Sequence, residues 1–515
     1  MDTNVNILGA ATFTLAAVFA TWILKKYYGF SNSRKPYPPG PRPLLLVGNI
    51  FDMPRKKEWE TFSKWKEEYG DIVYLSIFGR PVVILNSVEA TTDLLLNRST
   101  IYSDRPYFPL IELTGHLASN VGFMSYGKEW AALRKTFAGG FSQANLAAYY
   151  DSHRTATMNL LKNFYQDPTN HATHFKLHAV QLIIDVTYGI QVTSFDHPLV
   201  QLATRVLTAL PVLMSPAMWV LNPIPLVRAL PTWMGASHLD RKIACWKKEL
   251  VEFQVSPFEK TRADLVTGKS KPSFTSCLLQ EMEGTAESAE KETLIRNSAA
   301  AAYGGSSDTT TAVAHTFLLA ILLYPEAQKR AQQEIDLIVG NGRLPDFGDR
   351  PHLSYTSSIL KEVLRWHTST PQGIPHSLAQ DDYYRGYHIP AGSIVIGNTW
   401  GILHDSTVFK DPFDFRPERH LEPHSEEAAA QMEVFNRIAF GFGRRLCPGK
   451  DFAEDALWLL ITQFLAVYSV TPDPNFPPAT AEFTSGPLSQ PVPFKCKISP
   501  RSDSAKLLID QGIDA

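Results

Sequence analysis

Residues Phe440–Gly449 read FGFGRRLCPG and set one cysteine, Cys447, in a glycine-rich loop. Gly443 and Gly449 give that loop permissive backbone, so that amide N–H groups can turn toward sulfur. Pro448 removes one donor and stiffens the exit. The run that follows, DFAEDALWLL from Asp451 to Leu460, has helical apolar periodicity. The sulfur therefore precedes a helix N-terminus, where the dipole favours negative charge. Such a loop suits a thiolate offered to a metal. No second cysteine and no neighbouring histidine stands at metal-finger spacing, which argues against zinc and against an iron–sulfur cluster.

The string matches FxxGxRxCxG at Phe440, Gly443, Arg445, Cys447 and Gly449, and so resembles the haem-ligand signature of the cytochromes P450. On the motif alone, a glycine-rich turn around a buried cysteine remains the alternative. The resemblance implies haem b (iron protoporphyrin IX) held by Cys447 as axial ligand, with Phe440 and Gly449 among the cofactor-binding positions. Further matches follow in the family's order.

Glu362 and Arg365 form ExxR on a helix expected to begin near Ser354, and Pro417, Glu418, Arg419 and His420 resemble the family's PERF segment. An i,i+3 ion pair is most often a solvated surface feature. The resemblance instead implies an interior triad of Glu362, Arg365 and Arg419 beneath the haem. His420 replaces the usual Phe, a change expected to touch only local packing. Trp130 and Arg134 form WxxxR on a helix expected over 128–137, where packing plus a surface charge is the ordinary explanation. By resemblance Trp130, Arg134, Arg445 and His376 meet the two haem propionates, several cationic or donor groups facing two carboxylates. For His376 a satisfied loop histidine is the other reading.

The apolar stretch 297–324 is interrupted by Gly304, Gly305, Ser306, Ser307, Asp308, Thr309 and Thr310. Small and hydroxyl residues weaken a helix interior and need a packing or functional reason. The segment resembles the family's oxygen-binding groove, [A/G]Gx[D/E]T[T/S], with Ser306 where glycine is usual. The match implies that Thr309 hydrogen-bonds dioxygen and that Asp308 relays protons, while Thr310 and Thr311 serve packing.

Residues 5–24 run without charge for about 20 positions, long enough to span a bilayer. A cleaved signal peptide is the alternative, but Asp2 and the lack of Lys or Arg make a poor n-region. Lys25, Lys26, Arg34 and Lys35 follow the run, which places the remainder in the cytosol. Pro36, Pro38, Pro39, Pro41 and Pro43 then form a stiff spacer resembling the hinge of microsomal P450s. The expected organisation is an anchor at 1–28, a proline-rich hinge at 29–43 and a catalytic domain at 44–515. The expected fold is mainly α with small β-sheets, a cytochrome P450 fold behind one transmembrane helix at the endoplasmic reticulum.

A formal charge of −2 and the absence of a basic run argue against nucleic acid. Cys245, Cys277 and Cys496 are too few and too scattered for a disulfide framework, and are expected as reduced packing residues. Strands are expected over 72–77, 81–85, 387–389 and 394–398, with a hairpin at Gly79 and Arg80, and a mobile loop or short helix over 268–291. Substrate-lining regions are expected at 107–123, 207–233, 368–374 and 483–488, most of them apolar.

Three functions from different classes fit. The leading one is a monooxygenase acting with dioxygen on a lipophilic specialised metabolite, a terpenoid or polyketide, with a small aromatic or indole amine as runner-up. No GxGxxG fingerprint is present, so electrons from NADPH are expected through a separate cytochrome P450 reductase, with cytochrome b5 as a further donor. Lys135, Arg437, Arg444 and Lys450 form the expected docking face. The second is a reductase-independent haem-thiolate isomerase or dehydratase, which Asp308 and Thr309 argue against. The third is a haem-binding sensor without turnover. Within the family the chain resembles fungal enzymes of the O-methylsterigmatocystin oxidoreductase and tryptamine 4-monooxygenase kind.

Overall fold

Two β-branched runs pair first. β1 (Ile72–Ile77) and β2 (Arg80–Leu85) form an antiparallel hairpin with Ile77 opposite Arg80. Its two turn residues are Phe78 and Gly79, both at positive φ, as a tight two-residue hairpin turn requires. The turn thus sits one residue earlier than the expected Gly79–Arg80. The computed structural model describes residues 35–116, 120–207, 209–213, 236–282, 288–421 and 425–514. The expected anchor at 1–28 and most of the apolar 207–233 stretch lie outside them. Among the described residues, no single helix is long and apolar enough to cross a membrane.

The sheet is completed from far along the chain. β6 (Ile394–Gly397) pairs parallel with β2, and the two-residue β3 (His376–Ser377) pairs antiparallel with β6. This fixes His376 opposite Val395. Two further antiparallel pairs follow, the hairpin β4 (Asp382–Tyr384) with β5 (Tyr387–Ile389), and β7 (Tyr468–Pro472) with β8 (Cys496–Pro500) across the long connection 473–495. β3, β4, β7 and β8 were not expected from the sequence.

The helices that position the site are α1 (Lys128–Gly140), α2 (Tyr150–Gln166), α3 (His171–Tyr188), α4 (Pro198–Leu207), α5 (Ala236–Val266), α6 (Phe274–Met282), α7 (Ser288–Leu323), α8 (Pro325–Ile338), α9 (Ser354–Trp366) and α10 (Lys450–Val467). The last two turns of α7, Phe317–Leu323, are apolar on every face, which means burial. Phe317, Leu318, Leu319 and Ile321 pack with Phe164 of α2, Phe175 of α3, Ile359 and Val363 of α9, and Leu460 and Phe464 of α10. Each such side chain contributes about 1.5–3 kcal/mol on burial. Pro325 ends α7 and starts α8 as its first residue, where its missing N–H costs nothing, and the axis bends by 103°.

α7 begins nine residues before the expected 297, because its first turns are charged and carry no apolar signal. α1 likewise runs three residues beyond the expected 137. Within 268–291, residues 274–282 are the helix α6, with Phe274, Thr275 and Ser276 buried, so that part is packed structure. Cys496 is buried as expected, but Cys245 and Cys277 are exposed free thiols, so neither is a packing residue.

Candidate active site

The cysteine loop closes on itself through the Cys447 amide, which donates to the Phe440 carbonyl at 2.9 Å. Gly443 must be glycine: its φ is +50°, and a Cβ there would lie 2.3 Å from the Leu95 carbonyl oxygen. Gly449 departs from expectation. Its φ is −102°, open to any residue, and a Cβ would meet only Phe137 at 3.9 Å. Gly441, at φ +92°, carries the second conformational demand instead. Gly449 contributes its N–H, which points at the Cys447 sulfur.

Cys447 keeps accessible surface although protein packs densely around it. Burial pushes the thiol up, while the Gly449 amide and the Arg134 guanidinium pull it back. A cation bound at sulfur would complete the shift to thiolate.

Beyond the sulfur, three guanidinium groups converge. Arg445 donates to the carbonyls of Ser103 at 2.7 Å, Val121 at 3.1 Å and Met124 at 2.7 Å, and lies 4.4 Å from the centroid of the Trp130 ring. Arg134, one turn after Trp130 on α1, donates to Leu446 at 2.6 Å. Arg105 donates to Gly122, Ile374 and Pro375 at 2.7–2.8 Å. All three are held below the ordinary arginine range, first by burial and, for Arg105 and Arg445, next by the neighbouring guanidiniums, with Arg445 brought to about 10. Asp104 is the one carboxylate acting on Arg105 and Arg445 among the described residues.

The structure brings Trp130, Arg134, His376 and Arg445 together as the sequence predicted, but with two differences in detail. The Trp130 indole N–H donates to the Val121 carbonyl at 3.2 Å. His376 Nδ1 lies 2.8 Å from the Tyr102 carbonyl, so Nδ1 bears the proton and the neutral ring offers Nε2 as an acceptor. Burial, then Arg105, holds His376 well below the ordinary histidine value. A nearby carboxylate would favour the second proton. Sequence reasoning missed Arg105, because its partners lie 17 to 270 residues away. A thiolate-forming cysteine beside buried guanidiniums in excess of carboxylate fits an iron porphyrin with two propionates.

Glu362 and Arg365, both fully buried, pair through two hydrogen bonds of 2.8 Å. Arg419 Nε reaches Glu362 Oε1 at 3.0 Å, and the Arg416 amide donates to the same oxygen at 2.9 Å. His420 is more than a packing change, because its Nε2 lies 2.9 Å from Glu362 Oε2 and makes the triad a tetrad. Burial alone would raise Glu362, but Arg365 and His420 outweigh it and bring the carboxyl down to about 2.

On α7 the Thr309 hydroxyl donates to the Gly305 carbonyl at 2.7 Å. A Cβ at Gly305 would meet nothing within 4 Å, so the helix face beside Thr309 stays open. Asp308 pairs with Lys176 of α3 at 3.8 Å, a partner the sequence did not suggest. Ser306 is half-buried, while Thr310 and Thr311 are buried, with the Thr311 hydroxyl bonded back to Ser307 at 2.7 Å. One residue before Gly305, Gly304 borders a narrow cleft between α4, α5 and α7.

Residues 38–498 match the family model Cytochrome P450. The chain is 36% identical over 508 residues to Cytochrome P450 monooxygenase 208 of Postia placenta, covering 97% of this chain and 96% of that one. It is 34% identical over 505 residues to Cytochrome P450 monooxygenase ple1 of Rhodocybe pseudopiperita, at 96% and 95% coverage. With Cytochrome P450 monooxygenase COX1 of Coprinopsis cinerea it shares 31% identity over 521 residues, at 99% and 100%. The chain belongs to the cytochrome P450 family and is a monooxygenase.

Proposed function

We propose that this P450 inserts one oxygen atom of dioxygen into a lipophilic specialised metabolite, a terpenoid or polyketide, with NADPH electrons delivered by a separate reductase at the endoplasmic reticulum membrane. The observation that carries the substrate reading is the cleft beside Gly304. Val206, Leu207, Leu250, Phe253, Ala300 and Ala301 line it beside the neutral polar His116, Asn120 and Gln254, and none of the described lining residues is charged. An apolar wall without a counter-charge selects a neutral, lipophilic molecule. The charge-free run at 5–24 and the proline hinge support the membrane placement. The wider resemblance to fungal enzymes that oxidise sterigmatocystin-like and indole substrates keeps the pathway assignment at the level of specialised metabolism.

When bound through Cys447, the haem supplies the activation of dioxygen with two electrons, one oxygen atom entering the substrate and the other leaving as water. Cys447 sulfur would hold the iron, with the Gly449 N–H and Arg134 stabilising its negative charge. Arg105, Arg134 and Arg445 would hold the propionates, and His376 stands beside Arg105 and Arg445 where it would face the same carboxylates. Thr309 keeps its proton at Oγ1, parked on the Gly305 carbonyl on the open face of α7. Asp308 carries protons inward from Lys176, half-exposed at the helix surface. Exposed Lys135 and Arg444 present cationic surface for an acidic electron donor; Arg437 and Lys450 already pair with Glu433 and Glu454.

The experiment is the reduced, CO-bound spectrum of membranes carrying the full chain, followed by titration with terpenes, polyketides and indole amines. A Soret band at the thiolate position, lost in Cys447→Ala, and a type I shift with terpenes or polyketides are expected. A shift with indole amines alone overturns the substrate reading.

A further inference from the structure

The short helix 109–113 is followed by Thr114, Gly115 and His116, and His116 borders the cleft. The Thr114 hydroxyl has one proton, and it donates that proton to the Ile111 carbonyl at 2.7 Å. Toward His116 Nδ1, 2.8 Å away, the same oxygen can therefore only accept. Nδ1 then carries the imidazole proton, and Nε2 keeps a bare lone pair. His116 is 3% exposed, borders the cleft, and its Nε2 has no hydrogen-bond partner among the described residues. A buried acceptor left unpaired is costly, and native proteins seldom leave one without a reason.

The cleft holds the complement. His116 lies on its wall with Asn120 and Gln254, Phe253 and Leu250 make apolar wall, and Gly304, one residue before Gly305 of the predicted dioxygen groove, borders it too. Asn120 Oδ1 is already taken by the Gly122 amide at 2.9 Å. Burial holds the His116 ring down at about 4, so Nε2 stays an acceptor at neutral pH. An acceptor discriminates by proton: an alcohol or phenol O–H satisfies it, whereas a ketone, an ether or a hydrocarbon does not. An ammonium also brings protons, but none of the lining side chains is a carboxylate to balance its charge.

We propose that His116 Nε2 accepts a hydrogen bond from a hydroxyl group of the substrate, so that this P450 selects an already hydroxylated lipophilic molecule over its deoxy parent. The proposal rests on the monooxygenase reading with a lipophilic substrate but not on the carbon skeleton. It also places the enzyme after a step that installs a hydroxyl, either an earlier hydroxylation or a cyclisation quenched by water.

The test is a set of matched type I titrations on the haem-loaded full chain. The probes are a sesquiterpene alcohol and its hydrocarbon, a phenolic polyketide and its deoxy analogue, and a hydroxyindole and indole. The wild type should bind the hydroxylated member of the productive pair on the order of tenfold more tightly, the size of one buried hydrogen bond. His116→Leu should erase that ratio while leaving the deoxy affinity and the CO-bound thiolate band intact, and His116→Gln, which restores an acceptor, should recover part of it. A ratio unchanged in His116→Leu, or a wild type indifferent to the hydroxyl, overturns the proposal and leaves the lipophilic reading standing. A His116-dependent ratio for the indole pair alone upholds the proposal and overturns the terpenoid or polyketide reading. A Soret band that none of the pairs moves overturns both.

Discussion

The molecule holds two buried clusters of arginine, and they are balanced in opposite ways. Around Glu362, two guanidiniums, a histidine and a backbone amide converge on one carboxylate, and both of its oxygens are used. Around Arg105, Arg134 and Arg445 the hydrogen bonds end on carbonyl oxygens, which neutralise no charge, and Asp104 is the one anion acting on Arg105 and Arg445. The first cluster is closed and serves the fold. The second keeps surplus positive charge, which a fold retains against desolvation only where an anion is to be bound. The distal cleft repeats the contrast on a smaller scale, with one unpaired acceptor at His116.

The largest effect should come from breaking the closed cluster. Glu362→Ala leaves Arg365 charged, fully buried and without its carboxylate, at a cost of about 3–5 kcal/mol. Urea unfolding should show that loss, and a variant within about 1 kcal/mol of wild type would mean that the tetrad is not structural. Acid acts on the same bond. The folded pKa of Glu362, about 2, lies below its ordinary 4.5, so its contribution is complete above pH 4.5 and lost as pH falls toward 2. Linkage puts this at about 3 kcal/mol, to be read from unfolding midpoints across that window.

The open cluster should fail differently. Arg105→Leu and Arg445→Leu relieve repulsion but leave buried carbonyls without their donors, so the urea midpoint should fall less than in Glu362→Ala while haem retention falls about 10–100-fold. Measuring haem transfer to an acceptor globin checks this. If midpoint and retention fell together as in Glu362→Ala, the distinction between the clusters would be lost. The smallest effect is expected for His420→Phe. It removes one hydrogen bond to Glu362 but also an unpaired buried Nδ1, and these opposing terms should leave stability within about 1 kcal/mol. A loss beyond about 3 kcal/mol would make the histidine a full partner of the carboxylate.

Much of the proximal side was legible in sequence because its logic is local. The cysteine loop, Glu362 with Arg365 three residues later, and Trp130 with Arg134 one turn later each fall within ten residues. His376 was legible only through resemblance, since a two-residue strand carries no periodicity. Arg105, Lys176, His420 and His116 were not assigned their partners. Arg105 is bonded across 17 to 270 residues, and Lys176 meets Asp308 only because α3 packs on α7.

By itself the sequence determined the chemistry on offer: one cysteine in a loop that favours thiolate, a hydroxyl and a carboxyl adjacent in a weakened helix, and the family to which that order belongs. Tertiary structure decided which charges are cancelled and which are left over. That sum depends on distances between residues hundreds of positions apart and on how far water is excluded from them, and neither quantity is written in any local stretch of chain.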